Sequence, residues 1–122
     1  MYERLKSADG TLAVKLGETL TAEEVDALYE QAAAALEGRE RLNYYVDATQ
    51  WGLLAPDVAL HALKQRLMLL GWYNRFRRVA VVTDNPVLRS MVTAMDWVTP
   101  VMDVRSFAPA EAAEGLRWCE NG

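Results

Sequence analysis

Cysteine is nearly absent from this 122-residue chain, with Cys119 the only one. No intrachain disulfide can form, which excludes the disulfide framework of small secreted domains. Histidine is as scarce, with His61 alone. One histidine and one cysteine give no ligand cluster, so no metal site is expected. The seven glycines are scattered, leaving neither a glycine-rich phosphate loop nor a G-x-S-x-G nucleophile elbow. No uncharged apolar run approaches the ~18 residues that span a bilayer. The opening MYERLKSADG lacks the apolar core of a signal peptide, and a cytoplasmic location is the expectation. Internal repeats, low-complexity tracts and linkers are missing too, so residues 1–122 read as a single domain.

What is there is a globular composition, 52% hydrophobic and 25% charged, far from the signature of disorder. A chain of this size buries roughly two-thirds of its unfolded surface, enough for one core. Net charge is −4, yet Val58 to Thr83 holds no acid and five bases, Lys64, Arg66, Arg75, Arg77 and Arg78. An acidic chain with one basic, apolar segment does not fit general nucleic-acid binding, which calls for a basic domain. It fits a local anionic partner or surface.

The runs Tyr2–Ala8 and Thr11–Leu16 alternate around Asp9-Gly10, a hairpin signal. Thr21-Ala-Glu-Glu24 has the form of a capping box. Val25, Leu28, Tyr29, Ala32 and Leu36 follow at helical spacing, with Gly38 as the stop. Leu42–Ala48 reads as a third strand, and Pro56-Asp57 opens a long helix to about Tyr73. Arg78–Thr83 is a valine-rich run of the kind buried on both faces of a parallel sheet. Asn85-Pro86 starts another helix, Val101–Phe107 is a fifth strand, and Pro109 opens a last helix to about Cys119. The order β-β-α-β-α-β-α-β-α predicts an α/β fold. Its sheet is mostly parallel and five-stranded, with one antiparallel strand at an edge or interior position, and four helices pack on it.

Several segments together resemble the SpoIIAA-like group of the STAS (sulphate transporter and anti-sigma-factor antagonist) superfamily. They are Gly17-Glu-Thr-Leu-Thr-Ala-Glu-Glu24, Tyr45-Val-Asp-Ala48 with Trp51-Gly-Leu53, Arg78-Val-Ala-Val-Val-Thr-Asp-Asn-Pro86, and Val104-Arg-Ser-Phe107 followed by Ala112 and Trp118. Antagonists of that superfamily carry an Asp-Ser-Ser-Gly type motif whose serine is phosphorylated. Here the region reads Thr49-Gln-Trp-Gly-Leu-Leu-Ala-Pro56, and its only hydroxyl, on Thr49, comes too early to match. The phospho-switch is therefore not carried over. What the resemblance implies is a STAS-like domain of bacterial type that binds a hydrophobic ligand or associates with a membrane.

The stretch Trp51–Phe76 is the most informative. Leu60, Leu63, Leu67 and Leu70 make one buried helical stripe. Val58, Met68, Leu69, Trp72 and Tyr73 lie outside it, and Trp51, Leu53 and Leu54 precede it. One reading is a wide core-facing stripe completed by a dimer contact. The other is an apolar surface or cleft rimmed by Lys64, Arg66, Arg75, Arg77 and Arg78, since apolar residues beside bases mark an interfacial helix. Trp51, Leu53, Leu54, Leu69, Trp72 and Tyr73 are then the apolar contacts, and Arg66, Arg75 and Arg77 the charges.

Polar chemistry has weaker candidates. Asp47 and Asp84 end predicted parallel strands, and the crevice beyond the carboxyl ends is where open α/β sheets place ligands. Turn formation at Asp47 and helix capping at Asp84-Asn85 explain them more simply. His61 has no motif partner, Cys119 reads as a small packed residue, and Trp97 and Trp118 read as core. The expectation is a non-enzymatic module without cofactor that binds a hydrophobic small molecule or lipid, or sits peripherally on a membrane. The alternative is a protein-interaction or regulatory module, or a homodimer, using the same surface.

Overall fold

The computed structural model describes residues 2–18, 22–50, 75–98 and 103–121. Asp9-Gly10 turns the chain as its composition predicts. Gly10 takes φ +86°, a left-handed conformation that glycine adopts without Cβ strain. The Thr11 N–H closes the turn on the Ala8 carbonyl at 3.1 Å. β1 (Tyr2–Leu5) and β2 (Thr11–Leu16) pair antiparallel, with Tyr2 opposite Leu16. β1 stops at Leu5 and not at Ala8, because Ser7 donates its hydroxyl to the Thr11 carbonyl and Ala8 its N–H to the Glu120 carboxylate. Those bonds take the chain out of the ladder.

α1 (Ala22–Leu36) ends where Gly38 reaches φ +76° and the Arg39 N–H bonds the Leu36 carbonyl at 2.9 Å. The chain then forms β3 (Leu42–Asp47), β4 (Phe76–Val82), α2 (Pro86–Val98) and β5 (Asp103–Phe107). A 3-10 turn (Pro109–Glu111) leads into α3 (Ala112–Glu120). β4 begins at Phe76, two residues before the apolar run. Leu42 pairs with Phe76 but Tyr44 with Val79, so an irregularity places an extra residue of β4 opposite β3. The charged pair Arg77-Arg78 within it hides the strand start from a hydropathy reading. The expected helix from Pro56 to about Tyr73 and the Thr21 cap lie outside the described residues.

The strands lie side by side in chain order, β1-β2-β3-β4-β5. β1 is the antiparallel edge, and every other neighbouring pair is parallel. The period-2 alternation of strands sorts the core onto two faces. On one, Leu12, Val14, Leu16, Leu42, Phe76 and Val104 meet Leu28, Ala32 and Leu36 of α1 and Leu88 and Val92 of α2. Burying a leucine of this kind contributes roughly 1.5–3 kcal/mol. Tyr44 and Phe76 pack edge-to-face at 5.7 Å, and Gln31 on α1 donates to the Tyr2 hydroxyl at 2.8 Å, tying the edge strand to the helix.

The second face is covered by α3. Ala13, Tyr45, Ala80 and Val82 lie under Cys119, with Leu116, Trp118 and Phe107 around them. Two alanines at the centre let the helix approach closely. The fit is tight enough that a Cβ on Gly115 would stand 2.9 Å from the Phe107 ring.

Candidate functional site

At the carboxyl ends of the strands, polar side chains serve the local backbone. Asp47 Oδ1 accepts the Thr49 N–H at 3.0 Å and the Thr49 hydroxyl at 2.6 Å, the geometry of a turn closed by a carboxylate. Thr83 is fully buried, and its Oγ1 accepts the Asn85 N–H at 3.1 Å. Asn85 Oδ1 accepts the Leu88 N–H at 3.3 Å and caps α2. Asp84 stays exposed.

The amino ends of the strands carry arginines. Arg75 opens β4 and is held by the chain following α1, donating Nη2 to the Arg39 carbonyl at 2.6 Å and Nε to the Glu40 carbonyl at 3.2 Å. An open depression of about 490 Å³ lies there, lined by Leu36, Gly38, Arg39, Glu40 and Arg75 among others. Arg39 also pairs with Asp9 at 3.0 Å, but Asp9 is 99% exposed, and a bridge so hydrated contributes little. Arg77 is exposed.

Arg78 departs from its expected place on an exposed rim. It is half-buried, donates Nη1 to the Trp118 carbonyl at 2.7 Å, and stacks 4.9 Å from the centroid of the Trp118 ring. Arg105 of β5 stands 5.1 Å from the same ring, and Phe107 packs beside it at 5.8 Å. Trp118 is half-buried and not a core residue. The cluster depends on the register of β4 with β5, in which Arg78 is opposite Asp103 and Ala80 opposite Arg105. A tryptophan near the end of a polar helix, with an arginine inside each of two strands, was the only signal of it in the sequence.

Cys119 is fully buried and directs its thiol at the Arg78 carbonyl, 3.7 Å away. Burial pushes that thiol up to about 12, so it is not a thiolate nucleophile near neutral pH. Tyr45, below it, is also pushed up to about 12, by burial first and then by the charge of Asp47. Burial raises Tyr44 as well.

Of the residues expected to contact a ligand or membrane, Arg75 and Arg77 fall among those described, at the same end of the sheet. Trp51, Leu53, Leu54, His61, Arg66, Leu69, Trp72 and Tyr73 lie outside the described residues. Among the described residues, no group of three His, Cys, Asp or Glu side chains could hold a metal ion, and no helix is long and apolar enough to cross a membrane.

A family model described as SpoIIAA-like matches residues 11–120. Among solved structures, the chain resembles an uncharacterized protein of the DUF3478 family with a SpoIIAA-like fold from Shewanella loihica PV-4. The identity is 23% and the TM-score 0.66, over 95% of this chain and 92% of that one. No curated protein matches the chain.

Proposed function

Because the chain belongs to the SpoIIAA-like family, we propose that it is a non-catalytic binding module for a hydrophobic, lipid-like ligand or an anionic membrane surface. Contact runs through the segment joining β3 to β4, where Trp51, Leu53, Leu54, Leu69, Trp72 and Tyr73 supply apolar area. Arg66 and Arg77 supply the charge. Arg75 has the narrower task of fixing the start of β4, since its guanidinium already serves two carbonyls. The observation that supports the reading is Arg77, an exposed cation at the end of an acid-free stretch and at the amino end of the sheet. Apolar burial and attraction to anionic headgroups add at such a surface.

Tryptophan emission on titration with neutral and then anionic vesicles, checked by co-sedimentation, tests this. A blue shift with anionic vesicles that salt weakens, abolished by Leu69→Glu and Trp72→Glu in folded protein, is the expected result. Unchanged emission with the protein left in the supernatant overturns the membrane reading. A stable oligomer in dilute solution would then favour a protein-interaction module or homodimer, as the family's link to anti-sigma-factor antagonists suggests.

A further inference from the structure

We infer that Arg78, Arg105 and Trp118 form a binding site for a phosphate-type oxyanion on the sheet face beside the end of α3. The two guanidinium carbons lie 4.9 Å and 5.1 Å from the centroid of one indole. Each cation gains from the ring, and sharing it brings two positive charges within about 10 Å of each other. Among the described residues neither arginine makes an ion pair. Asp103 is opposite Arg78 in the register, yet it is exposed and forms no bridge to it. The cluster therefore carries two charges that its own carboxylates do not neutralise.

The donors are held in place and available. Arg78 uses Nη1 on the Trp118 carbonyl, which fixes its plane and, among the described residues, is the guanidinium's one hydrogen bond. Arg105 is exposed and its guanidinium hydrogen-bonds to none of the described residues, so its fork of five N–H groups can turn to a ligand. Planar forks held by stacking suit oxyanions, which accept two parallel N–H bonds from one guanidinium. A tetrahedral dianion matches the double charge. Chloride can neutralise charge but cannot satisfy that geometry. The site uses none of residues 51–74 and is independent of the lipid reading above.

The test is titration of the full chain with inorganic phosphate and pyrophosphate at about 0.15 M salt, where exposed charges are already screened. The Nε–H resonances of the two arginines and the Trp118 indole N–H are followed. Saturable shifts at these three groups are expected, with affinity about tenfold weaker in Arg105→Gln, which loses charge-assisted hydrogen bonds to the anion. Arg89→Gln, an exposed arginine on α2, leaves the affinity unchanged. Arg105 is exposed and held by a ring contact to Trp118, so its variant reads binding even if Arg78→Gln fails to fold. No saturation by about 10 mM, or equal weakening by Arg89→Gln, overturns the site. A second arm compares vesicles of phosphatidate in phosphatidylcholine with phosphatidylcholine alone. Capture that Arg105→Gln abolishes assigns the phosphate to a lipid headgroup, and binding of the inorganic anions without capture assigns it to a soluble ligand.

Discussion

At the carboxyl ends of the strands, Asp47, Thr83 and Asn85 each accept a hydrogen bond from a residue no more than three positions ahead. At the amino ends the donors divide. Arg75 and Arg78 reach carbonyls 35 to 40 residues away, while Arg77 is exposed. Helix direction accounts for part of the sorting. Glu23 and Glu24 lie in the first turn of α1 and Arg117 in the last turn of α3, each favoured by the local end of the helix dipole. What separates the ends is surplus. The first holds local polar pairs that complete one another, and the second an exposed cation, Arg77.

Four changes separate those roles. Arg78→Ala carries the largest effect, because it removes a charged donor from the Trp118 carbonyl and a stacked partner from its ring. Stability falls by about 2 kcal/mol, seen as a lower urea midpoint. An unchanged midpoint would make Arg78 as free as Arg77 and erase the division among the arginines. Asn85→Ala removes the α2 cap and costs about 1 kcal/mol, and Asn85→Asp restores most of it.

Alkaline pH acts on the seam under α3 and on neither end. Tyr45 and Cys119 are both pushed up to about 12 in the folded protein, so the unfolded chain loses those protons first. The stability they contribute is complete below the ordinary thiol and phenol values, ~8.5 and ~10. It is lost as pH rises from there toward about 12. Urea midpoints measured against pH should fall across that window, and less steeply in Cys119→Ala. Arg77→Gln has the smallest effect on the fold, within about 0.5 kcal/mol, but it reduces capture by anionic vesicles. If it destabilises the protein instead, the exposed arginine is structural and the contrast between the ends fails.

Much of the architecture was legible because its signals are local. Asp9-Gly10 sets the hairpin, Gly38 stops α1, and the run from Val79 to Val82 marks a strand buried on both sides. Strand pairing was harder to read, because it depends on contacts between distant residues. The sequence left open whether the antiparallel strand was at an edge, and nothing in it put β4 and β5 in the register that joins Arg78 to Arg105. The charged pair Arg77-Arg78 breaks the apolar pattern where β4 begins, so Arg78 looked like a rim residue although Trp118 covers it. A stacked arginine and a solvated one are identical in one dimension. The polar candidates fared differently: turn and capping chemistry at Asp47 and Asn85 could be read from neighbouring residues, and the structure realises both.

The order of the strands also bears on how the chain is built. Each strand from β2 onward lies against the one made just before it, so the sheet can grow in the direction of synthesis without waiting for a distant partner. Each parallel pair still joins residues about 25 to 35 positions apart, and closing such loops makes parallel sheets slow to form. The second face is the exception. Among the described residues, α3 covers Ala13, Tyr45, Ala80 and Val82, and its Glu120 reaches back to the Ala8 N–H. The helix is thus a clasp that ties the first turn of the chain to the second face of the sheet.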